Sequence, residues 1–200
     1  MRKLKILPLF IVSLLVFHAP AMAQGQKEKD FKKACGDLLK SISKKQLTGL
    51  NSFVDPTYGV YVLFRTGAMD EYKNFKKLDG DRPFIFDEHP ITAADLKKYS
   101  MQYGKLPSYD CGDAVWKKRG YVADSAKIYK PLSDIVAFRL KYEKEKISKK
   151  DNEAIKFAEQ NSRKIVFTSS KGDGIIFFMS YINGKWWLSI IDTVTTDCSA

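Results

Sequence analysis

The residues able to do bond chemistry in this 200-residue chain are few: three thiols, two imidazoles and a scatter of carboxylates. The thiols are Cys35, Cys111 and Cys198, and the imidazoles are His18 and His89. A thiol becomes a useful nucleophile when an imidazole or another cation draws it into the thiolate form. No histidine follows Cys111, so a cysteine amidase at that position would have to take its base from upstream, from His89. Oxidising surroundings favour a bridge instead, and Cys111 and Cys198, both in irregular segments, are the expected pair. Cys35 then remains as a buried thiol that acts as a small hydrophobe.

Asp87-Glu88-His89 places three possible metal ligands side by side. Consecutive side chains of an extended segment point to opposite faces, however, and Pro90 turns the chain, so no metal is expected there. Asp110, Asp113 and Asp124 lack the close alternating spacing of a calcium loop. One histidine beyond the N-terminal segment cannot make a zinc site of several imidazoles, and no cofactor fingerprint is present, so no cofactor is expected. The remaining chemical candidate is Asp192. A carboxylate screened by aromatics has its pKa raised by desolvation and can act as a general base. Tyr181 is the natural partner to polarise a substrate. The competing reading gives Asp192 a lysine partner or backbone hydrogen bonds at the end of a strand.

What positions Asp192 is the clearest signal in the chain. Ile175 to Ile182 and Lys185 to Val194 are β-rich runs joined by Asn183-Gly184, the pair that best tolerates the positive φ angles of a type I′ turn. Uninterrupted pairing outward from Ile182 and Lys185 puts Tyr181, Trp186, Leu188, Ile190 and Asp192 on one face, the candidate pocket face. Both faces are largely apolar, so the hairpin should be covered on both sides. Lys164 to Ser169 supplies a third strand. Earlier, Phe31, Ala34, Cys35, Leu38, Leu39 and Ile42 form a helical stripe, Leu47, Leu50 and Phe53 mark a short second helix, and Tyr58 to Phe64 and Pro83 to Phe86 are candidate strands. Thr92 with Asp95 and Ser148 with Asp151 resemble capping boxes that open helices, and Pro131 suits the first turn of a helix running to Lys146. Residues 101–130 show no period and need a tie such as a Cys111 bridge.

The whole is therefore an α+β chain, with N-terminal helices packed on a curved antiparallel sheet that ends in a C-terminal β-meander. Residues 1–23 read as an export signal, with Arg2, Lys3 and Lys5, an apolar run from Ile6 to Phe17, and the small-x-small site Ala21-Met22-Ala23. Cleavage after Ala23 leaves a single domain over 24–200 in a periplasm or outside the cell. Removing those three cations lowers the formal charge from +11 to +8. No membrane span is expected in the mature chain, because the apolar run is too short and nothing comparable follows it. The lysines are spread among glutamates along helices, so nucleic acid is not the expected partner, and anionic envelope glycans or lipids fit the charge better.

Two resemblances follow from these residues. Tyr109-Asp110-Cys111-Gly112 is similar to the strand-to-helix junction of NlpC-type cell-wall peptidases, which implies a cysteine nucleophile at the start of a helix. The element order, ending in Asn183-Gly184-Lys185-Trp186-Trp187-Leu188-Ser189-Ile190-Ile191-Asp192, resembles the cone-shaped fold of the nuclear transport factor two-like superfamily and uncharacterised exported bacterial proteins with a Trp-rich final strand. That resemblance implies a pocket against the sheet. Such folds host enzymes and binders alike. The expectation is a non-catalytic module that binds a small ligand, a glycan or an envelope protein. A pocket enzyme using Asp192 is the alternative, and an amidase at Cys111 with His89 is the more remote one.

Overall fold

The computed structural model describes residues 19–79, 91–124 and 128–199. Pro83 to Phe86 and Asp87-Glu88-His89 lie outside them. Helix α1 (Ala19–Ser43) carries the expected stripe, with Phe31, Cys35, Leu38 and Leu39 fully buried and Lys32, Lys33 and Lys40 facing out. After α2 (Leu47–Asn51), the Asp55 carboxylate accepts the backbone N–H groups of Thr57 and Tyr58 and turns the chain. Gly59 follows at φ +75°, where a Cβ would meet the Phe75 carbonyl oxygen at 2.6 Å. Only a residue without a side chain fits there.

Strand β1 (Val60–Thr66) pairs antiparallel with β2 (Met69–Phe75) and parallel with the last strand. Helix α3 (Ala93–Lys98) begins with the full Thr92/Asp95 capping box. The stretch without periodicity is partly regular: it holds β3 (Met101–Tyr103), the hairpin β4 (Tyr109–Asp110) and β5 (Val115–Trp116), and β6 (Gly120–Asp124). Helix α4 (Pro131–Tyr142) has proline in its first turn and stops short of Lys146, because Lys144 takes φ +60°. Helix α5 (Lys149–Gln160) is capped by the Ser148 side chain, which accepts the Asp151 N–H. Strands β7 (Ser162–Thr168), β8 (Gly174–Ile182) and β9 (Lys185–Asp192) form the terminal meander. The sheet order is β2-β1-β9-β8-β7-β6-β3, antiparallel except at β1/β9 and β3/β6.

The sheet is covered on both faces. One face buries Phe167, Phe177, Met179, Trp186 and Leu188 beneath α1 and α2. The other buries Tyr61, Val166, Ile176, Phe178 and Ile190 beneath Leu132 and Ile135 of α4 and Ile155 and Ala158 of α5. Truncating the Phe, Trp, Met, Leu or Ile side chains among these to alanine costs about 2–5 kcal/mol each. The architecture is α+β, with N-terminal helices on a curved, mostly antiparallel sheet.

The hairpin register departs from uninterrupted pairing at one place. Asn183 and Gly184 take φ +49° and +82°, and Tyr181/Trp186, Ser180/Trp187 and Met179/Leu188 pair as the sequence predicts. Beyond them a bulge at Ser189 shifts the partners to Phe178/Ile190, Phe177/Ile191 and Ile176/Asp192. The extra residue is held by buried hydroxyls: those of Ser180 and Ser189 lie 2.7 Å apart, Ser180 reaches the Ala158 carbonyl oxygen at 2.9 Å, and Ser189 lies 3.3 Å from that of Phe178. A one-residue bulge reverses the alternation, so Asp192 moves to the face opposite Tyr181 and Trp186.

Candidate binding cleft

Cys111 and Cys198 form a disulfide with a Cα–Cα separation of 5.5 Å, joining the turn of the β4–β5 hairpin to the C-terminal segment. The Cys111 sulfur is therefore bonded rather than nucleophilic. Cys111 also enters a turn between two strands, not the helix that the peptidase resemblance implies. The remaining thiol, Cys35, is fully buried, and burial pushes its pKa far up. Among the described residues, no group of three His, Cys, Asp or Glu side chains could hold a metal ion.

Asp192 is buried and fully engaged. Its Oδ1 accepts the Val194 and Thr195 N–H groups, while its Oδ2 accepts the Thr195 hydroxyl at 2.7 Å and the Lys164 ammonium at 3.1 Å. Lys164 is itself largely enclosed, with the Tyr129 and Phe178 rings 5.3 and 5.4 Å away. With these contacts, Asp192 fastens the chain as it leaves β9. Tyr181 and Trp186 lie on the other face under α1, where the Lys27 ammonium sits 4.0 Å from the Tyr181 ring and the Trp186 indole donates to the Lys27 carbonyl oxygen. The candidate pocket residues are thus divided between the two sides of the sheet.

A larger concavity than the one beside Asp192 lies elsewhere. A cleft of about 990 Å³ opens between the outer strands β1 and β2, the α4–α5 loop and the first turns of α5. Tyr58, Tyr61, Tyr72 and Phe157 supply its aromatic surface, with Tyr58 stacked on Phe157 at 5.0 Å and Tyr61 edge-on to Tyr72 at 5.9 Å. These positions follow from strand geometry: Tyr61 points inward from β1 among the residues beneath α5, and Tyr72 comes from its ladder neighbour β2. Tyr61 is only 7% exposed, yet no protein group hydrogen-bonds its hydroxyl among the described residues. Burial, reinforced by Tyr72, Asp151 and Glu159, pushes its pKa up to about 12, and burial raises that of Tyr72 against the opposing effect of Arg139. Both phenols therefore stay protonated and can donate at any physiological pH.

Much of the polar lining is already committed. Asn74 donates to the Tyr58 carbonyl oxygen, Lys76 to that of Thr57, and the Ser148 hydroxyl to Asp151. Glu145 pairs with Arg139 at 3.4 Å. Lys146 and Lys150 stand at the cleft without a carboxylate partner among the described residues. What remains free among the described residues is a pair of phenol donors, aromatic faces and two exposed cations, an arrangement that can grip a ring through its face and its hydroxyls. Sequence reasoning missed this site because β2 (Met-Asp-Glu-Tyr-Lys-Asn-Phe) is polar and carries no apolar alternation. The available signal was its position after β1, across the turn at Gly67. Comparison with protein-family models, curated proteins and solved structures gives no match.

Proposed function

We propose that this chain is an exported binding module that takes a small, ring-bearing, hydroxyl-rich ligand, such as a glycan fragment, in the cleft between β1, β2 and α5. The observation that carries the reading is the Tyr61 phenol, an enclosed ring whose hydroxyl has no partner among the described residues, on the wall of a cleft of about 990 Å³. A ligand hydroxyl in the cleft would gain a hydrogen bond from a phenol that no neighbouring side chain competes for. The export part of the proposal rests on the composition of residues 1–23, and the Cys111–Cys198 bridge is compatible with it. Kinship with the nuclear transport factor two-like cone belongs to the same proposal, supported by N-terminal helices on a curved sheet with a terminal meander.

Titration calorimetry with soluble cell-wall muropeptides and neutral oligosaccharides tests it. A saturable complex is expected with at least one of these probes. Tyr61→Phe should weaken it by about five- to tenfold, the worth of one hydrogen bond. The melting temperature should stay near that of the unaltered protein, because the phenol makes no internal hydrogen bond. Undiminished binding by both Tyr61→Phe and Tyr72→Phe would remove the cleft from consideration.

A further inference from the structure

Seven large apolar side chains are exposed among the described residues, and three of them, Phe138, Leu140 and Tyr142, fall within the last five residues of α4. Isolated exposed hydrophobes are ordinary on a soluble protein, whereas clustering at one helix end is not. Phe138 and Tyr142, one helical turn apart and 44% and 61% exposed, lie against one another at 4.6 Å, while Leu140, two positions from each, projects from another side of the helix. Met69 of β2, also exposed, lines the same depression of about 510 Å³ as Phe138. Lys141 and Lys144 bracket the end of the helix next to this ring pair, with Glu143 between them, and all three are exposed. Lys141 lies 4.8 Å from the Tyr142 ring, Lys144 donates only to a backbone carbonyl, and neither has a carboxylate partner among the described residues.

We infer that the C-terminal end of α4 and the loop after it dock on an anionic lipid surface. The two kinds of side chain select that partner together. A soluble polyanion would satisfy the lysines but leave the Phe138 and Tyr142 rings in water. A protein partner would need roughly 800 Å² from each side, more than one helix end supplies. A lipid surface is negatively charged at the headgroups and apolar just beneath. Aromatic rings favour that boundary, long lysines reach back from it to the phosphates, and each lysine adds electrostatic attraction. Phe138, Leu140, Tyr142, Lys141 and Lys144 do not line the aromatic cleft, so this surface stands independently of the ligand reading.

Co-sedimentation of the purified protein with phosphatidylcholine vesicles, with and without phosphatidylglycerol, tests the docking. Binding is expected only when phosphatidylglycerol is present and should weaken as salt is added. The double variants Phe138→Ser/Tyr142→Ser and Lys141→Gln/Lys144→Gln should each lower it about tenfold. In the unaltered protein, hydrogen exchange over residues 138–146 should slow when vesicles are added. No binding, equal binding to pure phosphatidylcholine, or protection confined to other segments would each overturn the inference. Loss with the lysine pair but not the aromatic pair would overturn it too, by identifying attraction to any polyanion.

Discussion

At the scale of single residues, position decides what a side chain can do. Asp192 has the composition of a general base, a carboxylate in an aromatic strand, but all its accepting capacity is committed to Lys164, Thr195 and two backbone N–H groups. Removing one partner of an enclosed ion pair leaves the other charge stranded, at a cost of about 3–5 kcal/mol. Asp192→Asn is therefore expected to lower the unfolding free energy by about 3 kcal/mol in a denaturant titration. A catalytic carboxylate free of structural duty would leave that titration nearly unchanged. Tyr61 is the converse case, a phenol with no hydrogen-bond partner among the described residues. Its identity was plain in the sequence as a strand aromatic, but its place on a cleft wall was not, because the cleft exists only once β2 and α5 flank it.

Among elements, local chemistry was legible and long-range chemistry was not. The Thr92/Asp95 box, Ser148 ahead of α5, Pro131 in α4 and the Asn183-Gly184 turn each depend on residues within four positions of one another, and each is present. The bulge at Ser189 depends on Ser180 across the strand and, through it, on the Ala158 carbonyl of α5. Alternation along one strand carries no trace of that. Asp95 joins both regimes, because besides closing its own helix it accepts the Ser170 N–H and hydroxyl from the β7–β8 turn. Burial opposes its ionisation, but the hydrogen bonds from Thr92 and Ser170 prevail and hold its pKa down at about 2, below the ordinary 3.8. A depressed carboxyl pKa contributes stability above the unfolded value and loses it as pH falls through the folded one. Melting curves should therefore show this contribution intact above about pH 4 and fading towards pH 2. Asp95→Asn should cost about 1–2 kcal/mol at neutral pH and flatten that part of the acid profile. An unchanged acid slope would show that the carboxylate does not hold the turn.

For the molecule as a whole, the Cys111–Cys198 bridge matters more than any single contact. It spans 87 positions of sequence, a loop that contains β5 through β9, α4 and α5. Closing a loop of that size restricts the unfolded chain far more than the folded one, worth about 4 kcal/mol in the chain-entropy account. It also secures a C-terminal segment whose other attachments are few, among them Val194 packed beside α4 and the Asp197 carbonyl oxygen bound by Arg65. The double variant Cys111→Ser/Cys198→Ser should therefore melt on the order of 10 °C lower, while Cys35→Ala should not reproduce the loss through any bridge. Thiol counting in denaturant without reductant should find one reactive group per chain, Cys35. Three would mean that the β4–β5 hairpin and the C-terminal segment are held by packing alone, and the melting difference between oxidised and reduced protein should then vanish.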